Sequence, residues 1–338
     1  MNNPFDYIPG RECDEAFRKL CGRIEVLKTS ERPDDINFIR ELEAGKMLAV
    51  LIAADEDGAR HTLYAFSGQL GHGGFHFPGF VGPVFDYLQP DGHFKTRERD
   101  ISRQNCDIAR FETESLRPIK TEYERVRNAL DTKLSAARDR YRASKAARDA
   151  RRKTGNVSEA ELAAMIRQSQ FEKAELHRLK KRVAAQLEPY ATRLKEAEAQ
   201  LTALKEKRRA DSEALQQWLF TNFRLLDARG ESRSLNEIFA DTPMRIPPSG
   251  AGECCAPKLL HAAYLQGWQP VAMAEYWYGR SKEGEVRIHG RHYPACRGKC
   301  RPVLGWMLQG LDIKPPLDCD CDAGIDLKPV VIFENQWF

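Results

Sequence analysis

The stretch Pro247–Tyr264, PPSGAGECCAPKLLHAAY, and its counterpart His289–Cys300, HGRHYPACRGKC, decide how the C-terminal half of this chain is read. Pro257 is tolerated only in the first turn of a helix, so Cys254 and Cys255 fall at a helix start. Pro302 places Cys296 and Cys300 in the same way, at the start of a helix over ACRGKCRPVLGWMLQG. The segment between them, PVAMAEYWYG, is apolar and reads as a strand. Helix N-termini favour thiolates, the form of cysteine that binds metal. The pattern therefore predicts that Cys254, Cys255, Cys296 and Cys300 converge at two neighbouring helix starts. Parallel strands joined by such crossovers would line those starts along one sheet edge. Two readings of the thiols stand side by side. One is a tetrahedral structural zinc site, closed by four thiolates or with His261, His289 or His292 replacing one of them. The other is packed free thiols, since unligated buried cysteines behave as small apolar residues. Cys319 and Cys321, in the acidic LDCDCDAG, form a lesser candidate pair.

Upstream, FRLLDARGES reads as a strand and turn. SLNEIFAD reads as a short helix opened by a capping box of Ser234 and Glu237. From about Phe111 to Phe220 the texture changes to Ala, Leu, Glu, Lys and Arg with almost no glycine. Apolar residues recur at Ile119, Tyr123, Val126 and Leu130, then at Ala137 and Tyr141. Gly155 and Asn156 end that helix, and Ser158 with Glu161 starts the next. Val183, Leu187, Tyr190, Leu194, Ala197, Leu201 and Leu204 then form a seam in steps of four and three. Two heptad helices joined by a short turn predict an antiparallel coiled-coil hairpin, an arm of about 50 Å at 1.5 Å per residue. Pro189 predicts a kink in the second helix. Arg148, Arg151, Arg152, Lys153 and Arg167 crowd the tip. They read either as a solvated helix end complementing the dipole or as contacts to an RNA phosphate backbone.

The N-terminal zone reads as mixed α/β. DDINFIRELEAGK is helical in pattern. KMLAVLIAAD and HTLYAFSGQ are strands joined by EDGAR, whose Asp-Gly signals a hairpin. The Gly- and Pro-rich GHGGFHFPGFVGPVFDYLQPDG reads as a long loop in which His72 and His76 pack, the alternative being a ligand or RNA-contact role for them. Four spans follow: 1–110 mixed α/β, 111–220 coiled-coil arm, 221–328 C-terminal α/β with the cysteines, and 329–338 the start of a further strand.

Composition bounds the function classes. The 338 residues carry a net charge of only +4, with 42% apolar and 30% charged residues, which suits a globular chain. MNNPFDYIPG lacks the basic and apolar regions of a signal peptide, and no apolar run approaches the eighteen residues of a membrane span. Nine cysteines without a secretory signal read as cytosolic thiols or metal ligands rather than disulfides. The expectation is a cytoplasmic protein with no membrane partner.

Two resemblances sharpen this. The order strand, Cys-bearing helix, strand, Cys-bearing helix resembles the core of zinc-dependent nucleobase deaminases, which pair a ligand and a nearby Glu at one helix start with a Pro-Cys-x-x-Cys at the next. Here Glu253 precedes Cys254, Ala256 stands where that family's Glu would follow, and the second pair has one extra residue. The resemblance thus implies a structural or inactive relative of a cytidine-deaminase-like core. A longer one covers nearly the whole chain. GKMLAVLIAADEDG, AFSGQL, GFVGPVFDYLQPDGHF, the arm, LLDARGESRSLNEIF, the Cys254 helix with its strand, and HYPACRGKCRPVLGWMLQGLDI together resemble the N-terminal extension of certain bacterial RluA-type RNA pseudouridine synthases. VVIFENQWF resembles the first strand of their catalytic domain. The His-Arg-Leu-Asp motif that bears their catalytic Asp is absent from this sequence, so no catalytic residue is carried over. The resemblance implies rRNA or tRNA as the partner of the whole protein and a non-catalytic, RNA-positioning role for this region. The alternatives are a zinc-dependent deaminase-like domain and a structural coiled-coil module without an RNA role.

Overall fold

The computed structural model describes residues 1–70, 77–281, 284 and 286–317. His72, His76, Cys319, Cys321 and the segment 329–338 lie outside the described residues. The chain is mixed α/β and divides into two compact units: one combines residues 1–92 with the chain from Gln217 onward, and the other is His93–Gln216.

The first unit is organised by its central strand. β1 (Lys46–Ala54) pairs antiparallel with β2 (Arg60–Phe66) on one side and with β5 (Gln269–Tyr278) on the other. Both faces of β1 are covered, which is why its sequence is an unbroken apolar run rather than an alternation. Leu48, Val50 and Ile52 pack with Phe17, Leu20 and Ile24 of α1 (Arg11–Leu27) and Phe38 and Leu42 of α2 (Pro33–Glu43). Ala49, Leu51 and Ala53 face the opposite core, built from α6 (Leu235–Ala240), α7 (Cys255–Leu265) and α8 (Cys300–Met307). The β1–β2 hairpin turns as the Asp-Gly pair predicts. Gly58 takes a φ of 81°, and Asp55 Oδ1 accepts the N–H groups of Asp57 and Ala59. β3 (Arg224–Leu226) and β4 (Ser232–Ser234) form a second small hairpin. The capping box at α6 is complete: Ser234 Oγ accepts Glu237 N–H at 3.2 Å, and Glu237 Oε2 accepts Ser234 N–H at 2.6 Å.

Three sequence expectations are corrected in this unit. The zones 1–110 and 221–328 are not separate regions, because β5 from the second completes the sheet of the first. An apolar strand gives no signal of which distant strand it will pair with. The parallel arrangement expected around the cysteines is absent among the described residues, where β5 runs antiparallel to β1. The second Cys-bearing helix begins only at Cys300, leaving Cys296 in the segment before it.

The second unit is helical. α3 (His93–Arg110) leads through a π-helical stretch, Phe111–Leu116, into α4 (Arg117–Lys153). Helix therefore starts at His93 and not at Phe111. The wide π turn lies just before Pro118, which lacks a backbone donor and whose ring clashes with the carbonyl one turn back. α5 (Glu159–Asn222) follows, and its last residues belong to the first unit. The helix is assigned without a break through Pro189. Bonds link Gln104 to Asp211, Glu112 to Lys205, Arg148 to Glu172 and Arg151 to Glu161. One number falls as the other rises, so the helices run antiparallel, as the heptads predict. Val183 and Ala197 of the seam are buried, and the rest are half-buried because a two-helix hairpin shields each seam from one side only.

Candidate functional site

The cysteines come first. Cys254 is the N-cap of α7, in extended backbone with φ −68° and ψ 164°, and its thiol is half-buried. Cys300 opens α8 and is buried, whereas Cys296 is exposed. Cys300 N–H donates to Cys296 Sγ at 3.3 Å, and the side chain of Cys254 interacts electrostatically with both. Cys296 is the acceptor of the group. Its Sγ takes the side-chain bonds of Cys254 and Cys300, then backbone N–H groups, that of Cys300 at 3.3 Å and that of Lys299. These donors hold the Cys296 pKa below the usual thiol range; Cys296 pushes that of Cys254 up against the opposing effect of Cys300, and Cys254 and Cys296 both push that of Cys300 up.

Cys255 does not join them, which corrects the four-thiol expectation. Residues one apart on a helix start point in different directions. The Cys255 thiol is fully buried, donates to the Met47 carbonyl at 3.3 Å, and has its pKa raised by burial. The histidines are engaged elsewhere. His261 Nδ1 accepts the Leu226 N–H at 3.2 Å, His289 Nδ1 accepts the Gly279 N–H at 3.0 Å, and His292 bridges Tyr276 through its backbone. Among the described residues, no group of three or more His, Cys, Asp or Glu side chains is arranged to hold a metal ion as it stands.

Glu275 is the residue that sequence reading missed. It lies on β5, is buried, and its Oε1 accepts the Ala256 N–H at 3.0 Å. Burial pushes its pKa up to about 7; the Ala256 N–H pulls the other way, and the nearby Cys296 charge adds to the rise. The only sequence signal was a Glu inside the otherwise apolar AMAEYWY. Glu253, the carboxylate singled out by the deaminase resemblance, is tied to the Tyr87 hydroxyl through Oε1.

The arm is the second site. Arg148 is 6% exposed, and its Nη1 donates to Ser144 Oγ at 2.6 Å and to Glu172 Oε2 at 2.7 Å. It links the two helices and presents no charge to solvent, so it is not an available RNA contact. Arg151 is half-neutralised in a different way, by a two-pronged bond to Glu161 at 2.8 and 3.1 Å. That bond draws the Glu161 carboxylate away from the expected reciprocal cap, leaving only the Ser158 Oγ to Glu161 N–H half at 3.3 Å. Arg152, Lys153 and Arg167 are exposed and have no ion-pair partner among the described residues.

Further along the arm, Lys133, Arg140, Tyr141, Phe171 and Arg182 line a groove of about 480 Å³. The groove's carboxylates are already occupied, Glu172 by Arg148 and Glu175 by Arg178. Lys133, Arg140 and Arg182 carry no ion pair among the described residues, and Phe171 is 63% exposed. Charge is segregated between the units. Residues 93–216 hold 30 Lys and Arg against 20 Asp and Glu, a net +10, so the remainder of the chain is −6 against the total of +4.

No family model matches the chain, and no curated protein or solved structure matches it significantly. No helix among the described residues is long and apolar enough to cross a membrane.

Proposed function

We propose that this chain is an RNA-engaging, non-catalytic region of an RNA-modifying enzyme of the RluA-type pseudouridine synthase kind, with the helical arm as its polyanion contact. The observation that carries the RNA contact is the charge segregation: +10 on residues 93–216 against −6 on the rest. Cations without carboxylate partners attract phosphates and release condensed counterions, giving affinity that falls with salt. An exposed aromatic among them supplies a face on which a base can stack. The family assignment rests on the sequence segments alone. Within the same reading, the C-terminal segments descend from a deaminase-like core that no longer catalyses, since Ala256 occupies the place of the family's Glu and Glu253 is held by Tyr87.

The test is RNA binding by the full chain over a salt series. Lys133→Gln, Arg140→Gln and Arg182→Gln combined lower affinity and reduce the slope of log K against log salt by about 0.7 to 0.9 for each phosphate no longer neutralised. An affinity and slope equal to those of the native chain overturn the groove as the RNA-binding surface. Absence of salt-dependent RNA binding in the native chain overturns the RNA reading itself.

A further inference from the structure

We propose that the groove on the helical arm takes a short single-stranded RNA segment in preference to duplex, with an unpaired base stacked on Phe171 and without regard to which base it is. This inference rests on the RNA reading above and names the class of RNA that the groove accepts.

The order of side chains along the groove carries it. Glu112 pairs with Lys205 and Ser144 bonds Glu172, so the antiparallel register puts Lys133 about level with Arg182. From that cationic end to Ser144 the groove follows α4 for about 16 Å, room for a few nucleotides. Arg140 lies between, and Tyr141 and Phe171 line the end nearer the tip. Arg167 stands one helical turn before Phe171, on the same face of α5, and is exposed without an ion-pair partner among the described residues. Phe171 thus falls along α5 between Arg167 and Arg182. A backbone whose phosphates meet these cations carries a base past the ring.

The ring has a free face. Phe171 is 63% exposed and makes no contact with another aromatic ring among the described residues. In a duplex the bases are paired and stacked on one another, so only sugars and phosphates meet the arm and the ring gains nothing. A single strand offers unstacked bases that lie flat on aromatic side chains. The groove also lacks the means to read a base edge. A free carboxylate would select the amino group of cytosine, but Glu172 already accepts from Ser144 at 2.6 Å, Arg148 at 2.7 Å and Gln168 at 3.0 Å, and Glu175 is held by Arg178. Stacking alone tolerates any base, because every base has a π face.

The deciding experiment is fluorescence anisotropy of the full chain with labelled, unstructured RNA oligomers of about 12 nucleotides and with the same strands annealed to their complements, over a salt series. The native chain binds the single strands at least about fivefold more tightly than the duplexes, and strands rich in different bases agree within about tenfold. Phe171→Ala weakens single-strand binding by about five- to hundredfold, leaves duplex binding and the salt slope as in the native chain, and keeps the helical circular dichroism, since the ring is exposed. Phe171→Trp retains single-strand binding. Duplex bound as tightly as single strand, or single-strand affinity unchanged in Phe171→Ala, overturns this inference while salt-dependent binding leaves the RNA reading standing. A larger preference for one base overturns the base-blind groove. Binding of neither form by the native chain overturns the RNA reading, and this inference with it.

Discussion

Arg148→Gln separates a structural arginine from an RNA-contacting one. The guanidinium of Arg148 is 6% exposed and donates to Ser144 Oγ and Glu172 Oε2 at 2.6 and 2.7 Å. Stripping a fully buried pair of one partner costs about 3–5 kcal/mol, because the remaining charge is left uncompensated. Glu172 escapes part of that cost. Its side chain is 22% exposed, and it still accepts from Ser144 at 2.6 Å and from Gln168 at 3.0 Å. The variant chiefly removes the charge-assisted hydrogen bond, so a destabilisation of about 2–3 kcal/mol is expected. At about 2–4 °C per kcal/mol, the melting of the arm falls by roughly 4–12 °C. The assay is a far-UV circular dichroism melt of the full chain, run beside a salt series of RNA binding. The melt shifts down while the salt slope stays that of the native chain. The double variant Arg148→Met with Glu172→Met recovers most of the loss, because an apolar pair of similar volume replaces the buried ions. An unchanged melt together with a smaller salt slope would refute the reasoning and return Arg148 to the RNA surface.

Two further predictions concern the first unit. The ammonium of Lys258 is buried on α7, donates to the carbonyls of Phe66 (3.0 Å) and Gly68, and lies 4.9 Å from the Phe66 ring centre. Lys258→Met leaves those carbonyls without their donor and costs about 1–3 kcal/mol in urea unfolding; a gain in stability would mean that desolvation of the ammonium outweighs its bonds. Burial pushes the His261 pKa below its ordinary 6.5, and Nδ1 must stay unprotonated to accept the Leu226 N–H. Between the depressed folded value and 6.5 the unfolded chain binds the proton and the folded chain does not, so stability falls as pH drops through that window. His261→Gln should lose less stability than the native chain between about pH 7.5 and 5.5 in urea unfolding, and an identical loss would exclude His261 as a contributor.

Local elements were legible because their signals are local. Ser234 and Glu237 announced a capping box that forms in full, and Asp-Gly announced the β1–β2 hairpin. The heptad of Val183 to Leu204 announced an antiparallel arm, since steps of four and three put one stripe on one side of a helix. The Ser158–Glu161 cap formed only by half, because Arg151 across the turn competes for the same carboxylate. Among the cysteines, the sequence placed Cys254 and Cys255 together at a helix start, and that start is observed.

The sequence by itself determined where helices start, which strands are apolar, and that the arm doubles back. These depend on φ preferences, caps and periodicity over a few residues. Tertiary structure alone decided that β5 joins β1, that Glu275 comes to the Ala256 amide, that Cys255 leaves the thiol group while Cys254 stays, and that Arg148 turns inward to Glu172. Each of these depends on which distant group fills the space beside a side chain. Burial then fixes the outcome, because a buried charge or donor must find its partner there or cost free energy.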